Sequence, residues 1–181
     1  MTNTAVKTTW KIDTAHSEIH FKVKHMMVST VTGAFGKFDA TVDADGDDFE
    51  DAEIRFSADV DSINTNNEQR DAHLKSDDFF NAEKFPQLTF QSTSFDKQAD
   101  GTYQLKGDLT IRDITKPVTL DVEYNGTAVD PYGNTKAGFE ITGKINRKEF
   151  GLKWSAITEA GSVVVGDDVR LVLNVQLTKV A

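Results

Sequence analysis

The chain contains no cysteine, is poor in basic residues and has no long apolar run. The missing cysteine excludes disulfides, thiolate nucleophiles and Cys-rich metal sites. Lys and Arg number 20 against 29 Asp and Glu, a net charge of −9. That charge argues against binding to nucleic acid and against adsorption to anionic lipid head groups, because both attract a surplus of positive charge. No apolar run approaches the length of about 18 residues that a membrane-spanning helix needs.

Catalytic and metal-binding motifs are also missing. Ser17, Ser76 and Ser92 have no GxSxG-like setting. Asp71 and His73 are two residues apart and do not share a helical face, which favours separate structural contacts over an acid–base pair. We therefore predict no catalytic site, no cofactor and no metal site. The four histidines lack paired metal-ligand spacing: His16, His20, His25 and His73.

The N-terminus and the length set the remaining limits. The first nine residues contain no apolar segment typical of a secretory signal. This predicts a cytoplasmic protein, with a periplasmic location as the alternative if Met1 precedes a mature start. At 181 residues the chain is expected to form one domain, 1–181, with a sizeable core.

Apolar and polar residues alternate with a period of two along most of the chain, which is typical of strands with one apolar face. Short loops rich in Asp, Gly and Asn separate several of these runs, at 44–48, 96–101 and 130–134. Eight runs follow this pattern: 18–24, 37–43, 52–60, 88–95, 103–111, 118–124, 137–145 and 169–177.

Short links between sequential strands favour antiparallel neighbours. An open sheet of eight such strands would expose its edges, and closure into a barrel removes them. We therefore predict an all-β fold, an eight-stranded antiparallel up-and-down barrel. A two-sheet sandwich is the alternative, since it uses the same alternation.

Two excursions interrupt the strands. The first, 62–85, has helical composition over 67–75, with Asn64 or Thr65 as the candidate cap, and Pro86 ends it. The second, 146–166, carries Phe150 and Trp154 four residues apart, which predicts that they share one face of a short helix.

Glycines also interrupt the alternation. Gly33 and Gly36 flank Phe35 and predict a bulge or bend. Gly107 and Gly143 occupy inward positions, where they indicate strand curvature or, alternatively, room inside the barrel.

Several motifs occur in a characteristic order. They are Trp10-Lys11-Ile12-Asp13-Thr14-Ala15-His16-Ser17, Val31-Thr32-Gly33-Ala34-Phe35, Arg70-Asp71-Ala72-His73-Leu74, Thr115-Lys116-Pro117-Val118 and Ile145-Asn146-Arg147-Lys148-Glu149-Phe150-Gly151. In this order, over about residues 9 to 179, they resemble the YceI-like family of polyisoprenoid-binding proteins. One departure is Asp113, which stands where the family commonly has Gly.

The resemblance implies a lipocalin-like barrel that binds a long isoprenoid or similar lipid, such as a polyprenyl phosphate or a quinone, without catalysis. Alternation alone favours a barrel filled by its own side chains, whereas the resemblance implies an elongated apolar cavity. The predicted lumen residues are Phe21, Val23, Phe38, Ile54, Phe56, Phe79, Phe80, Phe90, Leu109, Ile111, Leu120, Phe139, Ile141, Trp154 and Leu173.

Within this interpretation the first excursion closes one end of the barrel. Asp71, His73 and Ser76 would fasten it, and Phe79 and Phe80 would face the cavity or plug its mouth. An anionic head group would prefer cations at that mouth. The candidates, each first expected to be an ordinary solvated charge, are Arg112, Arg147 and Lys153.

Other functions stay open at this point. The alternatives are a fatty acid or fatty amide binder, and a stress-response or interaction protein that uses the barrel as a scaffold. A lipid hydrolase or isomerase would need a polar pair facing the lumen, where alternation offers mainly apolar residues. The resemblance also implies a homodimer, whose surface the sequence does not indicate.

Overall fold

One antiparallel sheet dominates the computed structural model, which describes residues 7–46, 48–156 and 164–180. One α-helix, α1 (Glu68–Lys75), and three 3-10 helices, Thr14–His16, Val60–Ser62 and Arg147–Phe150, accompany the strands in this part of the chain. The strands are β1 (Lys7–Ile12), β2 (Glu18–His25), β3 (Ser29–Phe35), β4 (Phe38–Asp45), β5 (Asp48–Asp59), β6 (Ile63–Asn64), β7 (Gln87–Lys97), β8 (Tyr103–Ile111), β9 (Ile114–Val129), β10 (Thr135–Asn146) and β11 (Val165–Lys179).

The sheet closes on itself. Strand β11 pairs with β10 on one side and with both β1 and β2 on the other. Strands β1 and β2 act as one interrupted strand, as do β3 and β4, because β1 pairs with β4 and β2 with β3. Every long strand thus pairs with its neighbours in sequence, which confirms the predicted eight-stranded up-and-down barrel. The alternation missed β1, which extends the first predicted strand toward the N-terminus.

The two ends of the barrel are connected differently. We call one the turn end, because its hairpins turn at Gly46, at 98–102 and at 130–134. Gly46, Gly101 and Gly133 have φ values of 59°, 89° and 85° there, the left-handed conformation that glycine adopts most readily. This agrees with the predicted loops. We call the other end the excursion end, because it carries the β2–β3 hairpin, the Arg112–Asp113 turn and both excursions.

The excursion end departs from the predictions in two details. The cap of α1 is Asn67, whose side chain accepts the N–H of Arg70 at 2.9 Å, so the predicted caps Asn64 and Thr65 were wrong. The predicted helix shared by Phe150 and Trp154 was also wrong. The 3-10 helix stops at Phe150 because Gly151 is left-handed, with φ 80°. Residues 157–163 of the second excursion lie outside the described part.

The sequence departure at Asp113 has a simple outcome. Ile111 and Ile114 pair across a two-residue turn, and Arg112 is the residue with positive φ, 56°. Since position 113 is not among the positive-φ residues, glycine is not required there. The predicted bend near Gly36 is confirmed, since β3 ends and β4 begins on either side of Gly36 and Lys37.

Candidate functional site

An apolar cavity of about 210 Å³ lies inside the barrel. Side chains from ten of the eleven described strands, all except β6, line it, together with residues of both excursions. Along β11 the lining extends from Val165 to Leu177, roughly 40 Å of strand at about 3.3 Å per residue. The cavity is therefore long and narrow, and its wall presents apolar atoms.

Three strand glycines shape the cavity wall. A Cβ on Gly33 would lie 2.2 Å from the Phe21 ring, and one on Gly143 would lie 2.2 Å from Cδ2 of Leu120. Both neighbours line the cavity. Because glycine has no side chain, each neighbour can lie along the wall instead of projecting into the lumen. Gly107 gives the Phe90 ring the same room. These glycines make room for neighbouring side chains in the wall. They therefore differ from both predictions, strand curvature and empty space inside the barrel.

Aromatic rings fill the turn end of the barrel. The Phe49 ring contacts those of Trp10, Tyr124 and Phe139, with centroids 5.0 to 5.5 Å apart, and a further pair, Phe95 with Tyr103, stacks beside them. Trp10 and Phe49 are only 1% and 2% exposed. Offset and edge-to-face contacts of this kind stabilise a core beyond the area they bury. The turn end is therefore sealed.

The first excursion closes the opposite end. The Asp71 carboxylate accepts the backbone N–H and the hydroxyl of Thr65, at 2.9 and 2.5 Å. Arg70 donates to the hydroxyl and the carbonyl of the same Thr65, at 2.8 and 2.6 Å. At the base of the excursion, the Val60 N–H donates to the Pro86 carbonyl. The predicted structural role of Asp71 at this fold-over is confirmed.

Aromatic contacts tie the two excursions together. The His73 ring stands edge-on to Phe79 and to Trp154, with centroids 5.1 and 4.8 Å apart. The imidazole Nε2 and an Asp78 carboxylate oxygen lie 2.8 Å apart. Phe79 is buried and lines the cavity, and the half-buried Phe80 lines it while contacting Phe35. These contacts agree with the predicted placement of both phenylalanines.

Two arginines hold the two excursions, which close this end of the barrel, in place. Arg112 donates to the backbone carbonyls of Asp77 and Phe79 and to the Asp77 carboxylate, each at 2.9 Å. Arg147 is 3% exposed. It donates to the carbonyls of Leu152, Trp154, Val165 and Gly166 at 2.6 to 3.2 Å.

The expectation that these arginines are solvated was wrong, because both guanidinium groups satisfy backbone carbonyls. Burial lowers the pKa of Arg147, and the Asp167 carboxylate opposes that change. An arginine keeps its proton at any ordinary pH. Lys153 is exposed, as expected.

All but two of the predicted lumen residues line the cavity. Phe38 packs against the core and Trp154 packs on His73 and Phe79, and neither lines the cavity. The prediction omitted further lining residues, among them Ile12, Phe35, Phe49, Leu74, Phe95, Leu105, Val169, Leu171 and Val175.

Phe49 shows why residues were missed. Asp51 is left-handed, with φ 63°, and the β4–β5 register shifts between Asp43 and Asp45. This irregularity moves Phe49 out of phase with the inward residues from Ala52 onward. The apolar Phe49 among acidic neighbours was the available signal. Leu171 and Val175 were in phase and could have been included.

The polar candidates make structural contacts. The Ser17 hydroxyl accepts the Gln176 N–H, the Ser92 hydroxyl accepts the Ile54 N–H, and the Ser76 hydroxyl donates to the His73 carbonyl. Within the described residues, no three His, Asp or Glu side chains are grouped so that they could hold a metal ion. Nor does this part of the chain include a helix that is long and apolar enough to cross a membrane.

The closed up-and-down barrel and its apolar cavity place the protein in the class of small β-barrels with an apolar interior, and known proteins share this fold. The YceI-like domain model matches residues 10–177, so the chain belongs to the YceI-like family. A UPF0312 protein of Staphylococcus aureus (strain N315) is 41% identical over 164 residues, 90% of this chain and 93% of that protein.

Solved structures share the fold. BcnA of Burkholderia cenocepacia superimposes with a TM-score of 0.78 at 25% identity, covering 91% of this chain and 98% of BcnA. A polyisoprenoid binding domain from Saccharophagus degradans gives a TM-score of 0.65 at 14% identity, covering 94% and 98%. At that identity the second likeness concerns the fold alone.

Proposed function

We propose that the protein binds one long-chain isoprenoid, or a closely related lipid, in the barrel cavity and performs no chemistry on it. The cavity of about 210 Å³ carries this proposal. It exceeds the engineered cavity of about 150 Å³ that takes up benzene. A hydrocarbon chain gains about 25 cal/mol for each Å² it buries. The same fold occurs in a polyisoprenoid binding domain, which makes an isoprenoid the first ligand to test.

The ligand chain points toward the turn end and its head group stays at the excursion end. Rings seal the turn end, so a polar group placed there would lose its hydration without gaining a partner. At the excursion end, Arg112 and Arg147 already donate to backbone carbonyls. An anionic head group would therefore meet the exposed Lys153 first, whereas a quinone would need only hydrogen-bond donors.

A full-length isoprenoid occupies more space than the cavity offers. Binding therefore includes a movement of side chains at the excursion end. Phe80 is the natural candidate, because it lines the cavity and is only half-buried, so displacing it exposes less new apolar surface than displacing the buried Phe79.

Solvent extraction of the purified protein, followed by mass spectrometry, tests the proposal. We expect one isoprenoid molecule per chain, and native mass spectrometry should show the same stoichiometry. Recovery of a fatty acid or fatty amide would replace the isoprenoid by that lipid. Recovery of no lipid, together with a stoichiometric protein partner, would favour the scaffold function.

A matched pair of variants tests the location of the ligand. Ile141 faces the cavity, and the next residue, Thr142, is exposed on the outer face of the same strand. Ile141→Trp should fill the lumen and abolish lipid retention, while Thr142→Trp should retain lipid normally. Equal retention by two folded variants would exclude the lumen as the binding site.

A further inference from the structure

The tip of the β2–β3 hairpin is apolar and exposed. It consists of Met26, Met27 and Val28, and the last two are 61% and 80% exposed. Met26 and Met27 are both left-handed, with φ 50° and 59°, and the Val28 N–H donates to the His25 carbonyl at 3.1 Å. Turns of this geometry favour Asn and Gly. The folding of the turn therefore does not account for two methionines there.

The tip lies beside the cavity at the excursion end. Val23 and Val165 line the cavity. His25, at the base of the tip, pairs with Val165, and the Met26 N–H donates to the Val164 carbonyl at 2.8 Å. The exposed apolar side chains therefore adjoin the end at which the head group of a bound lipid would lie.

Cations line the outer face below the tip. Lys22 pairs with Arg170, and Arg170 pairs with Lys144, so three positive side chains lie side by side across three strands. Lys24 lies between Lys22 and the tip. Asp168 engages Lys144 at 3.7 Å. In the part of the chain that the structure describes, no carboxylate pairs with Lys22, Lys24 or Arg170.

Part of the acidity of the protein lies far from the hairpin tip. Asp45, Asp48, Glu50, Asp51 and Glu53 lie near the turn end, on β4 and β5. Strand β11, which has 15 residues, connects the two ends over roughly 50 Å. The Debye length at physiological salt is about 8 Å. These five carboxylates therefore have little influence on a surface that meets the hairpin tip, and Asp167 and Asp168, which lie beside the basic row, engage Lys148 and Lys144.

We propose that the hairpin tip docks the barrel onto an anionic lipid bilayer. Met27 and Val28 enter the boundary between head groups and acyl chains, and Lys22, Lys24 and Arg170 meet the anionic head groups. Apolar insertion and basic attraction together give binding that neither gives alone. This orientation turns the excursion end toward the membrane. The docking itself is independent of the proposed function. Its use, the exchange of a lipid between bilayer and barrel, rests on that function.

Vesicle flotation tests the docking. The probes are phosphatidylcholine vesicles with and without phosphatidylglycerol. Binding is expected to the anionic vesicles and to weaken with salt. Met27→Ser with Val28→Ser should reduce partitioning roughly tenfold or more, and Lys22→Glu with Lys24→Glu by a similar factor. The matched control is Val129→Ser with Tyr132→Ser, equally apolar and exposed at the turn end (67% and 89%), with less than about twofold effect expected.

A fluorescent label gives a second readout, because the chain has no cysteine of its own. An environment-sensitive dye on Val28→Cys should shift to the blue with anionic vesicles, and the same dye on Tyr132→Cys should not. Absence of flotation, or equal flotation of the tip variant and its parent, would overturn the proposal. Lipid retained by the folded tip-serine variant shows that the cavity works independently. Docking without any retained lipid would instead defeat the proposed function alone.

Discussion

The turn end and the excursion end of the barrel contain the same types of apolar residue but pack them differently. At the turn end the inward rings of Trp10 and Phe49 are almost completely buried. Toward the excursion end, the lining residues Phe21, Val169 and Leu171 are only partly buried, while Phe79 and Phe150 of the two excursions are buried. One end thus resembles the core of a small protein. The other is a wall closed by segments that hydrogen bonds and aromatic contacts hold in place.

This difference assigns stability mainly to the turn end and ligand entry to the excursion end. Close-packed cores tolerate little change in volume, so a sealed turn end provides stability and a fixed floor for the cavity. Segments held by fewer buried contacts open at lower free energy than the rest of the molecule. Both excursions meet at the same end, and the cavity is therefore expected to open there.

The largest expected effect comes from truncating one ring at each end. Phe49→Ala should lower the free energy of unfolding by about 3–5 kcal/mol, because Phe49 contacts three other rings. Phe80→Ala should cost about half as much, since the side chain is only half-buried, yet it should weaken lipid retention more. Urea denaturation measures the first quantity and extraction the second. Equal stability losses, with equal retention, would contradict the division between the ends.

A second prediction concerns the fastening of the second excursion. Arg147→Met leaves four carbonyl acceptors without their donor, two of them in buried and two in partly buried hydrogen bonds, and should cost about 2–4 kcal/mol. Hydrogen exchange should rise in residues 147–156 and change little at the turn end. The neighbouring Lys148→Met is the matched control, because this exposed side chain makes only a surface ion pair with Asp167, worth less than about 1 kcal/mol. Similar exchange in the two variants would show that Arg147 does not hold the segment.

The same contrast explains how much the sequence could predict. Period-two alternation identified the barrel and most of the wall, since inward residues must be apolar whether or not they enclose a cavity. It failed at Phe49, where the bulge at Asp51 reverses the phase. It also failed at Arg147, because the burial of this arginine depends on how the second excursion folds back to bring the Leu152 and Gly166 carbonyls to the guanidinium group. The arrangement of an irregular segment of this kind has no periodic signature.

A third prediction uses pH to examine the attachment of β1 on the turn-end side. Partial burial opposes ionisation of Asp13, but hydrogen bonds from Lys136 and His16, the Lys136 charge and the Ala15 N–H outweigh it and lower the pKa of Asp13 from 3.8 to about 2. A depressed pKa in the folded state stabilises it above the unfolded value. This contribution, at most about 2 kcal/mol, is therefore present above about pH 4 and lost as the pH falls through about 2.

Asp13→Asn should accordingly be less stable than the parent at pH 7, and the difference should shrink as the pH falls from about 4 to about 2. Unfolding curves across this range measure it. Asp100→Asn is the comparison, since Asp100 accepts only from Thr102 in an exposed loop and should show a smaller change. A difference for Asp13→Asn that is independent of pH would show that its charge is not involved.

The smallest expected change in stability comes from adding a methyl group to a strand glycine beside the cavity. Gly143→Ala places a Cβ 2.2 Å from Cδ2 of Leu120, the end of a flexible side chain that can rotate into the lumen. The gain from replacing a strand glycine offsets part of the strain, so stability should change by less than about 1 kcal/mol. Lipid capacity should nevertheless fall, because Leu120 then takes up cavity volume.

Gly107→Ala is the contrasting variant: its Cβ would lie 2.5 Å from the Gln91 carbonyl oxygen, and a backbone atom cannot rotate away. Gly107→Ala should therefore lower the free energy of unfolding more than Gly143→Ala does, and Gly143→Ala should bind less lipid while staying folded. A larger loss of stability in Gly143→Ala than in Gly107→Ala would contradict this assignment of the two glycines.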